Sequence, residues 1–396
     1  MNYKVLIVIG FLLAVGAILF FNWKRDTKGS ATEGPAGTAS APRSKDAVEV
    51  TFLYSTEKKD WIEEETALFS KEHPEIQIKL TGRGSLEAAQ ELVDGKEKPT
   101  LWSPADSLVM SLGAADFETK NSARLVAAEG TEDAPQALVI TPVVFVVWED
   151  RAQVLSKVGK GQISWKTIHD AVNANQGWPA IGGKPEWGFV KLGHTDPTRS
   201  NSGLQALLLI TLEYYRKTSG LEVAELLKPD YQTWVKEIEK GVTKFESSTG
   251  TFMTDMVRFG PSKYDIAVVY ENLAIAQIEN AQGRWGDLRV YYPGTTVWSD
   301  HPVALLQGPW VTEAQRKAAR TYVGYLKSRH AQERALGYGF RPADTSVPIK
   351  TADARNPFTR LAQYGVQIEI PPAATPPQAA VVRNLMTMWS RLVGGR

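Results

Sequence analysis

Apolar and polar residues alternate along the chain with two different periods from residue 48 onward. Every second residue is apolar at 48–52, which predicts a β-strand that ends in a loop at Ser55 and Thr56. The apolar residues at 61–69 instead share one face of a helix, which Pro74 ends. The same order continues with a strand at 76–80, a loop at 82–85, a helix from Leu86 and a strand at 100–102. This β-α-β-α-β order predicts a mostly parallel sheet with helices on its faces.

Serine-containing loops follow all three of these strands, at Ser55, Ser85 and Ser103. The carboxyl ends of parallel strands meet at one edge of a sheet, and ligands of open α/β sheets gather beyond that edge. We therefore expect the three loops to lie side by side and to face a ligand.

A long apolar run at 138–148 comes next. Its length suits either a buried helix or two strand segments joined across domains, and Pro142 with five valines favours strands. We interpret the run as the crossing from a first lobe to a second. The later periodic segments predict helices at 165–173, 203–217, 314–334 and 378–392, and strands at 189–193, 265–270, 288–292 and 303–307.

Together these elements predict an α/β protein of two lobes, with mixed sheets, helices on both sheet faces and a ligand cleft between the lobes. The predicted divisions are an N-terminal membrane anchor at 1–25, a flexible linker at 26–46, a first lobe formed by 47–143 plus 300–396, and a second lobe at 144–299.

The N-terminal segment carries the membrane prediction. Residues 5–21 form a run of seventeen without a charge, the lower limit for crossing about 30 Å of hydrocarbon. The run ends in aromatic and cationic residues, and the A-x-A sequence at 39–41 lies too late for a signal-peptide cleavage site. An uncleaved anchor is therefore favoured over a cleaved signal peptide, with the folded part in the periplasm. The Gly-, Ser- and Pro-rich segment at 26–46 is typical of a flexible tether.

Composition excludes several classes of function. The net charge of +1 gives no sign of nucleic-acid binding, and the absence of cysteine excludes disulfides and cysteine-ligated metals. The five histidines form no H-x-x-x-H pair, and the phosphate-binding P-loop and the G-x-S-x-G elbow are missing. We therefore predict no catalytic residues, no metal and no cofactor, and a protein that is not an enzyme.

The segment at 195–203 (TDPTRSNSG) is the most informative for binding. A polar loop here joins a predicted strand to a predicted helix, and free N–H groups at a helix start hold anions. Arg199 would add a charge-assisted contact. The alternative is that Ser200 or Ser202 simply caps the helix.

Two further features leave the ligand open. Glu271 ends a buried strand and would suit a cation, an amine or a sugar hydroxyl, but its position favours the alternative that it caps the helix that follows. Twelve tryptophans offer faces for stacking on sugar rings, although tryptophan more often packs in a core. Trp61, Trp102 and Trp148 fall near predicted strand ends or first helical turns.

The loop at 195–203 resembles the DP-x-x-S-x-SG segment of the extracellular solute-binding proteins of ABC importers. The strand and glutamate at 265–271 (DIAVVYE) and the G-F-R-P turn at 339–342 follow in the same order, so that the resemblance spans 48–345. It implies the type II periplasmic-binding-protein fold of the molybdate, sulfate and phosphate group, with a small ligand captured by hinge closure for an ABC permease. The candidate ligand contacts are Ser55, Thr56, Ser85, Ser103, Thr195, Arg199, Ser200, Ser202 and Glu271.

Other functions stay open on the sequence alone. A membrane-anchored sensor or interaction module with an envelope partner would use the same fold without transport, and the uncleaved anchor fits that role. Sugar binding would suit Glu271 and the tryptophans, whereas the serine-rich helix starts suit an oxyanion. A hydrolase in the cleft has no motif to support it.

Overall fold

The computed structural model of the protein describes residues 47–394. The strands are β1 (Val48–Ser55), β2 (Ile76–Arg83), β3 (Leu101–Ser103), β4 (Gln136–Ala137), β5 (Val139–Trp148), β6 (Leu192–Gly193), β7 (Ile266–Tyr270), β8 (Leu288–Tyr291), β9 (Trp298–Ser299), β10 (Pro302–Leu305) and β11 (Arg341–Pro342). The helices are α1 (Lys59–Glu72), α2 (Ser85–Val93), α3 (Ser107–Asn121), α4 (Glu149–Val158), α5 (Trp165–Val172), α6 (Asn201–Tyr215), α7 (Val223–Leu226), α8 (Pro229–Glu239), α9 (Thr249–Phe259), α10 (Glu271–Ala281), α11 (Glu313–Leu326), α12 (Arg329–Gly337), α13 (Pro357–Arg360) and α14 (Ala379–Leu392).

The first sheet has the strand order β2-β1-β3-β10-β4. Strand β1 pairs in parallel with β2 and β3, whereas β10 runs antiparallel to β3 and β4. Neighbouring residues of β1 point to opposite faces, so that Phe52 packs in one cluster with Trp61 and Tyr322, and Leu53 packs in another with Trp102. The predicted parallel β-α-β-α-β unit is confirmed. We call the part of the chain around this sheet the first lobe.

The second sheet has the order β11-β5-β7-β6, and β8 and β9 also pair with β5. Strand β5 is buried along almost its whole length because this sheet is covered on both faces. The apolar run at 138–148 is therefore one strand of ten residues that begins just after the crossing between lobes. We call the part of the chain around this sheet the second lobe, and the predicted two-lobe α/β fold with mixed sheets is confirmed.

Two predicted elements differ from the structure. The predicted strand at 189–193 is reduced to Leu192–Gly193, since the side chain of Asp265 accepts the Lys191 N–H at 2.9 Å in place of a longer ladder. The predicted helix at 314–334 is two helices, α11 and α12. The chain turns at Lys327, and the Ser328 hydroxyl then caps α12 by accepting the Ala331 N–H.

The chain passes between the two sheets at Leu138, at 300–301 and a third time between β10 and β11. The Leu138 N–H donates to the His301 carbonyl oxygen at 3.3 Å, so that the first two crossings lie side by side. His301 has a φ of 40°, in the left-handed region that a residue with a Cβ rarely adopts. This pair of crossings is the natural place for a hinge.

The last helix, α14, packs against the helices of the second lobe. Val381, Leu385 and Trp389 join the cluster that holds Leu207, and the Trp389 indole donates to Glu239 at 2.7 Å. The predicted division places 47–143 and 300–396 with the first lobe, whereas α14 lies on the second and β5 and β11, which begin at Val139 and Arg341, belong to the second sheet. The rest of the division at residues 143 and 300 stays a prediction.

The predicted anchor at 1–25 and linker at 26–46 lie outside the described residues. Between residues 47 and 394, no helix combines the length and the apolar character needed to cross a membrane.

Candidate functional site

A cavity of about 640 Å³ lies between the two lobes. The first lobe supplies Thr56, the turn that leads into α2, and part of α3. The second lobe supplies 198–201, 247–249 and Tyr270. Arg383 and Met386 of α14 complete the wall. The cavity falls within the size range of sites for small organic ligands.

Three helices begin at this cavity, since the first residues of α2, α6 and α9 all line it. Their N-cap residues are Gly84, Ser200 and Ser248, and none of the three caps its own helix with a side chain. The first N–H groups of a helix have no partner inside the helix, and the helix dipole adds partial positive charge there. The cavity therefore receives positive potential and hydrogen-bond donors from both lobes.

The loop before α6 is shaped by Asp196 and Gly203. The Asp196 carboxylate accepts the N–H and the hydroxyl of Thr198 at 2.8 and 2.7 Å, while its carbonyl oxygen accepts the N–H groups of Arg199 and Ser200. A Cβ on Gly203 would lie 2.1 Å from the Thr195 carbonyl oxygen, so only glycine lets the helix start pack on the loop. The tight turn places Arg199 and Ser200 on the cavity wall.

Three arginines line the cavity and differ in their pairing. Arg383 forms an ion pair with Asp116, and Arg83 lies 3.4 Å from Glu91. Arg199 is exposed, and its guanidinium has no ion-pair partner among the described residues. Arg199 is therefore the lining cation that is free to pair with a bound anion.

A buried polar network joins the lobes at the start of α6. The Asp106 carboxylate of the first lobe accepts from the side-chain amides of Asn201 and Gln205 of the second lobe, at 2.8 and 2.6 Å. The Asn201 amide also donates to the Tyr270 hydroxyl at 2.9 Å. Burial raises the pKa of Asp106 to about 6, against the lowering effect of these hydrogen bonds.

Lys58 and His301 form a second buried cluster, under the first-lobe wall, that the sequence analysis missed. The Lys58 ammonium contacts the Ser55 hydroxyl and the carbonyl oxygens of Ser103 and Pro104, the latter two at 2.9 and 3.3 Å. Its Nζ also lies 3.3 Å from the His301 Nδ1. Burial lowers the pKa of Lys58 to about 7, and burial together with Lys58 holds the pKa of His301 well below its usual range.

The predicted contacts divide into two groups. Four of them line the cavity: Thr56, Ser85, Arg199 and Ser200. Ser85 also fixes the wall, because its hydroxyl accepts the Ala105 N–H at 2.9 Å.

The other predicted contacts lie behind the wall. Ser55 and Ser103 are buried against Lys58, and the hydroxyls of Thr195 and Ser202 bond each other at 2.7 Å behind the start of α6. Direct contact of these four with a ligand stays a prediction, and as placed they support the residues in front of them.

Glu271 lies outside the cavity lining. It is the first residue of α10 and is fully buried, and Arg341 donates to both of its carboxylate oxygens at 2.7 Å. Tyr292 donates to the same carboxylate. Arg341 and Tyr292 thus already donate to the carboxylate oxygens of Glu271 that were predicted to contact a ligand.

The tryptophans named above serve the core. Trp61, Trp102 and Trp148 are fully buried, and the described residues that line the cavity include no tryptophan. Nor do residues 47–394 contain a group of three or more histidine and acidic side chains placed to hold a metal ion.

The amino-acid sequence matches the family of bacterial extracellular solute-binding proteins over residues 50–341. The chain belongs to this family. The predicted resemblance is therefore confirmed.

Solved structures share the fold of this solute-binding protein at low sequence identity. The sulfate-binding protein SubI from Mycobacterium tuberculosis H37Rv is 16% identical with a TM-score of 0.53, over 88% of this chain and 99% of that one. Iron-bound HitA from Pseudomonas aeruginosa is 13% identical with a TM-score of 0.57, over 87% and 99%. AfuA from Actinobacillus pleuropneumoniae, with fructose-6-phosphate bound, is 15% identical with a TM-score of 0.56, over 89% and 99%. Such likeness shows the fold alone.

Curated relatives extend the comparison without naming a ligand. Two uncharacterised proteins of Mycobacterium tuberculosis, from strains CDC 1551 and H37Rv, are each 22% identical over 276 residues. The match covers 63% of this chain and 34% of each relative, so the solute-binding protein spans about a third of the length of the curated relatives it matches.

Proposed function

We propose that this solute-binding protein captures a small ligand that carries an oxyanion and supplies it to an ABC-type importer. The observation that carries the proposal is that three helices begin at one cavity, α2 from the first lobe and α6 and α9 from the second. An anion held by N–H groups of both lobes binds the closed protein more tightly than the open one. That difference in affinity is what drives hinge closure.

Each lining group has a role in the proposed complex. The N–H groups at the starts of α2 and α6 donate to the oxyanion, and Arg199 neutralises its charge. The hydroxyls of Thr56, Ser85 and Ser200 add donors from both lobes. The three proteins of similar fold named above bind sulfate, iron and fructose-6-phosphate, and two of these three ligands are oxyanions.

The proposal includes attachment at the outer face of the membrane through the segment at 5–21. Its support is the run of seventeen uncharged, mostly apolar residues in the sequence. A binding protein held in this way would stay close to a permease in the same membrane.

Replacement of Arg199 tests the oxyanion assignment. We expect Arg199→Gln to weaken binding of the preferred oxyanion about 10- to 100-fold, because one charge-assisted hydrogen bond contributes roughly 1.5–3 kcal/mol. Isothermal titration of the purified protein with sulfate, phosphate and organic phosphates and carboxylates measures the change.

Arg329→Gln is the matched control, since Arg329 is exposed, pairs with Glu333 on α12 and lies outside the cavity lining. The control is expected to bind as the native protein does. Native protein that binds none of these oxyanions, or an Arg199→Gln variant with native affinity, would contradict the proposal.

Arg383 tests the closure step. Helix α14 lies on the second lobe, yet Arg383 pairs with Asp116 of the first lobe and Val382 packs with Leu112 and Leu204. Opening the hinge would separate Arg383 from Asp116. We expect Arg383→Gln to weaken ligand binding about two- to fivefold, the size of an exposed ion pair, and to raise the radius of gyration without ligand.

Titration calorimetry and small-angle X-ray scattering provide the two readouts for this variant. Arg391→Gln on the same helix is the control, because Arg391 contacts Gln232 of the second lobe and forms no hydrogen bond or ion pair to the first lobe among the described residues. Equal scattering curves and affinities for the two variants would show that the pair of Arg383 with Asp116 has no part in closure.

A further inference from the structure

The cavity lining also presents two hydrogen-bond acceptors beside the donors of the three helix starts. These are Oε1 of Glu57 and Oδ1 of Asn201, the first residue of α6, and both oxygens are buried and have no hydrogen-bond partner among the described residues. The Glu57 side chain is 9% exposed and Asn201 is 3% exposed, and both residues line the cavity. A buried acceptor without a donor is costly, so each of these oxygens needs a donor that the described part of the chain does not supply.

The free oxygen of Asn201 follows from the network around it. The amide nitrogen donates to the Asp106 carboxylate at 2.8 Å and to the Tyr270 hydroxyl at 2.9 Å. A reversed amide would place its oxygen against the Asp106 carboxylate, where two acceptors would repel each other. The oxygen of Asn201 is therefore the atom left over for another donor.

The free oxygen of Glu57 follows from the cluster beneath it. The nearest basic group is His301, whose Nδ1 lies 3.9 Å away, beyond hydrogen-bond reach. The Lys58 ammonium is directed to the Ser55 hydroxyl and two carbonyl oxygens. The Asn272 amide reaches only the backbone oxygen of Glu57. The carboxylate is thus left with an unmatched acceptor.

An oxyanion without hydrogen-bond donors cannot satisfy these two acceptors. At neutral pH sulfate has no hydrogen to donate, and it would be repelled by the Glu57 carboxylate. Hydroxyl and ammonium groups donate to both carboxylate and amide oxygens. The cavity of about 640 Å³ also has room for more than one tetrahedral ion.

We infer that the ligand is an organic oxyanion that also carries hydrogen-bond donors. Its anionic group accepts from N–H groups at the starts of α2, α6 and α9, and its hydroxyl or ammonium groups donate to the side-chain oxygens of Glu57 and Asn201. This inference rests on the proposed function and narrows its ligand class.

Two phosphates that share an anionic group separate the alternatives. Methyl phosphate and glycerol 3-phosphate are both phosphate monoesters, but only the second carries alcohol hydroxyl groups. Phosphoethanolamine supplies the ammonium alternative, and sulfate is the simple ion that has no hydrogen to donate at neutral pH. We expect glycerol 3-phosphate or phosphoethanolamine to bind at least about 10-fold more tightly than methyl phosphate and sulfate in isothermal titration.

The Glu57→Gln variant tests whether the Glu57 carboxylate causes the preference for donor-bearing phosphates. We expect it to reduce the preference for the donor-bearing phosphate about 10-fold or more while affinity for methyl phosphate stays equal or rises, because a repelling charge has been removed. Glu63→Gln is the control, since Glu63 is an exposed residue of α1 outside the cavity lining. Circular dichroism and the melting temperature of each variant confirm that it is folded.

The outcomes separate the two proposals. If sulfate and methyl phosphate bind as tightly as the donor-bearing phosphates, water provides the hydrogen bonds to Glu57 and Asn201. The inference then fails while the proposed oxyanion function stands. An undiminished preference in Glu57→Gln also overturns the inference. If no anion binds to the native protein, the proposed function fails first.

Discussion

Replacing Arg341 by methionine is expected to lower the free energy of unfolding by about 3–5 kcal/mol, the range for an uncompensated buried charge. Arg341 is 4% exposed and Glu271 is fully buried, and the two side chains share a pair of hydrogen bonds of 2.7 Å. The guanidinium also donates to the backbone oxygens of Gln367 and Ile368. The single change would leave the Glu271 carboxylate in the interior with the Tyr292 hydroxyl as its remaining side-chain donor.

Urea unfolding of the single and double variants tests this explanation. In the double variant, Arg341→Met with Glu271→Leu, neither charge of this buried pair remains, and we expect it to recover most of the lost stability. The double variant should also bind ligand as the native protein does, because neither residue lines the cavity. A double variant no more stable than the single one would show that the loss comes from packing or from the contacts to Gln367 and Ile368.

Replacing Lys58 by methionine is expected to change how stability depends on pH. Burial lowers the pKa of Lys58 to about 7, from 10.5 for an ordinary lysine. Between pH 7 and 10.5 the unfolded chain binds more protons at Lys58 than the folded protein does. The free energy of unfolding therefore rises with pH across this window and falls again as the pH is lowered toward 7. A single group of this kind contributes a slope of up to about 1.4 kcal/mol per pH unit.

Urea unfolding at pH 7, 8 and 9 measures that slope. We expect the free energy of unfolding of Lys58→Met to rise less steeply with pH than that of the native protein, by about 1 kcal/mol per pH unit over this range. Lys59→Met is the matched control, because Lys59 is the next residue and its side chain is 57% exposed. Burial raises the pKa of Asp106 to about 6, which lies below the tested range. Parallel curves for the native protein and Lys58→Met would contradict a depressed Lys58 pKa.

The parts of the fold that could be predicted are those in which local pattern and packing agree. The first lobe starts with strands and helices that are neighbours in sequence, and β1, β2 and β3 pair as their order requires. The loop at 195–203 was predicted because turn residues, serines and a glycine required by packing occur together in nine positions. Its Arg199 and Ser200 do reach the cavity wall.

The parts that could not be predicted depend on residues far apart in the chain. Lys58 follows a predicted strand, and its sequence context is that of an ordinary loop lysine. Only the folded structure brings its ammonium into contact with His301 and the carbonyl oxygens of 103–104. The pairing of Glu271 with Arg341 spans 70 positions, so that a carboxylate at a strand end looked available for a ligand. Burial of a charged group changes its pKa and its availability to a ligand, and the periodic pattern of the sequence does not indicate which partner the group will have.

The amino-acid sequence by itself determined the family, the alternation of strands and helices, and the serine-rich helix starts that favour an anion. These features need only the spacing of side chains over a few residues and the orphan N–H groups of any helix start. The tertiary structure decided which of the predicted contacts line the cavity and which lie behind its wall. It also placed the free oxygens of Glu57 and Asn201 in the cavity lining, because the partners available to these side chains come from segments far apart in the sequence.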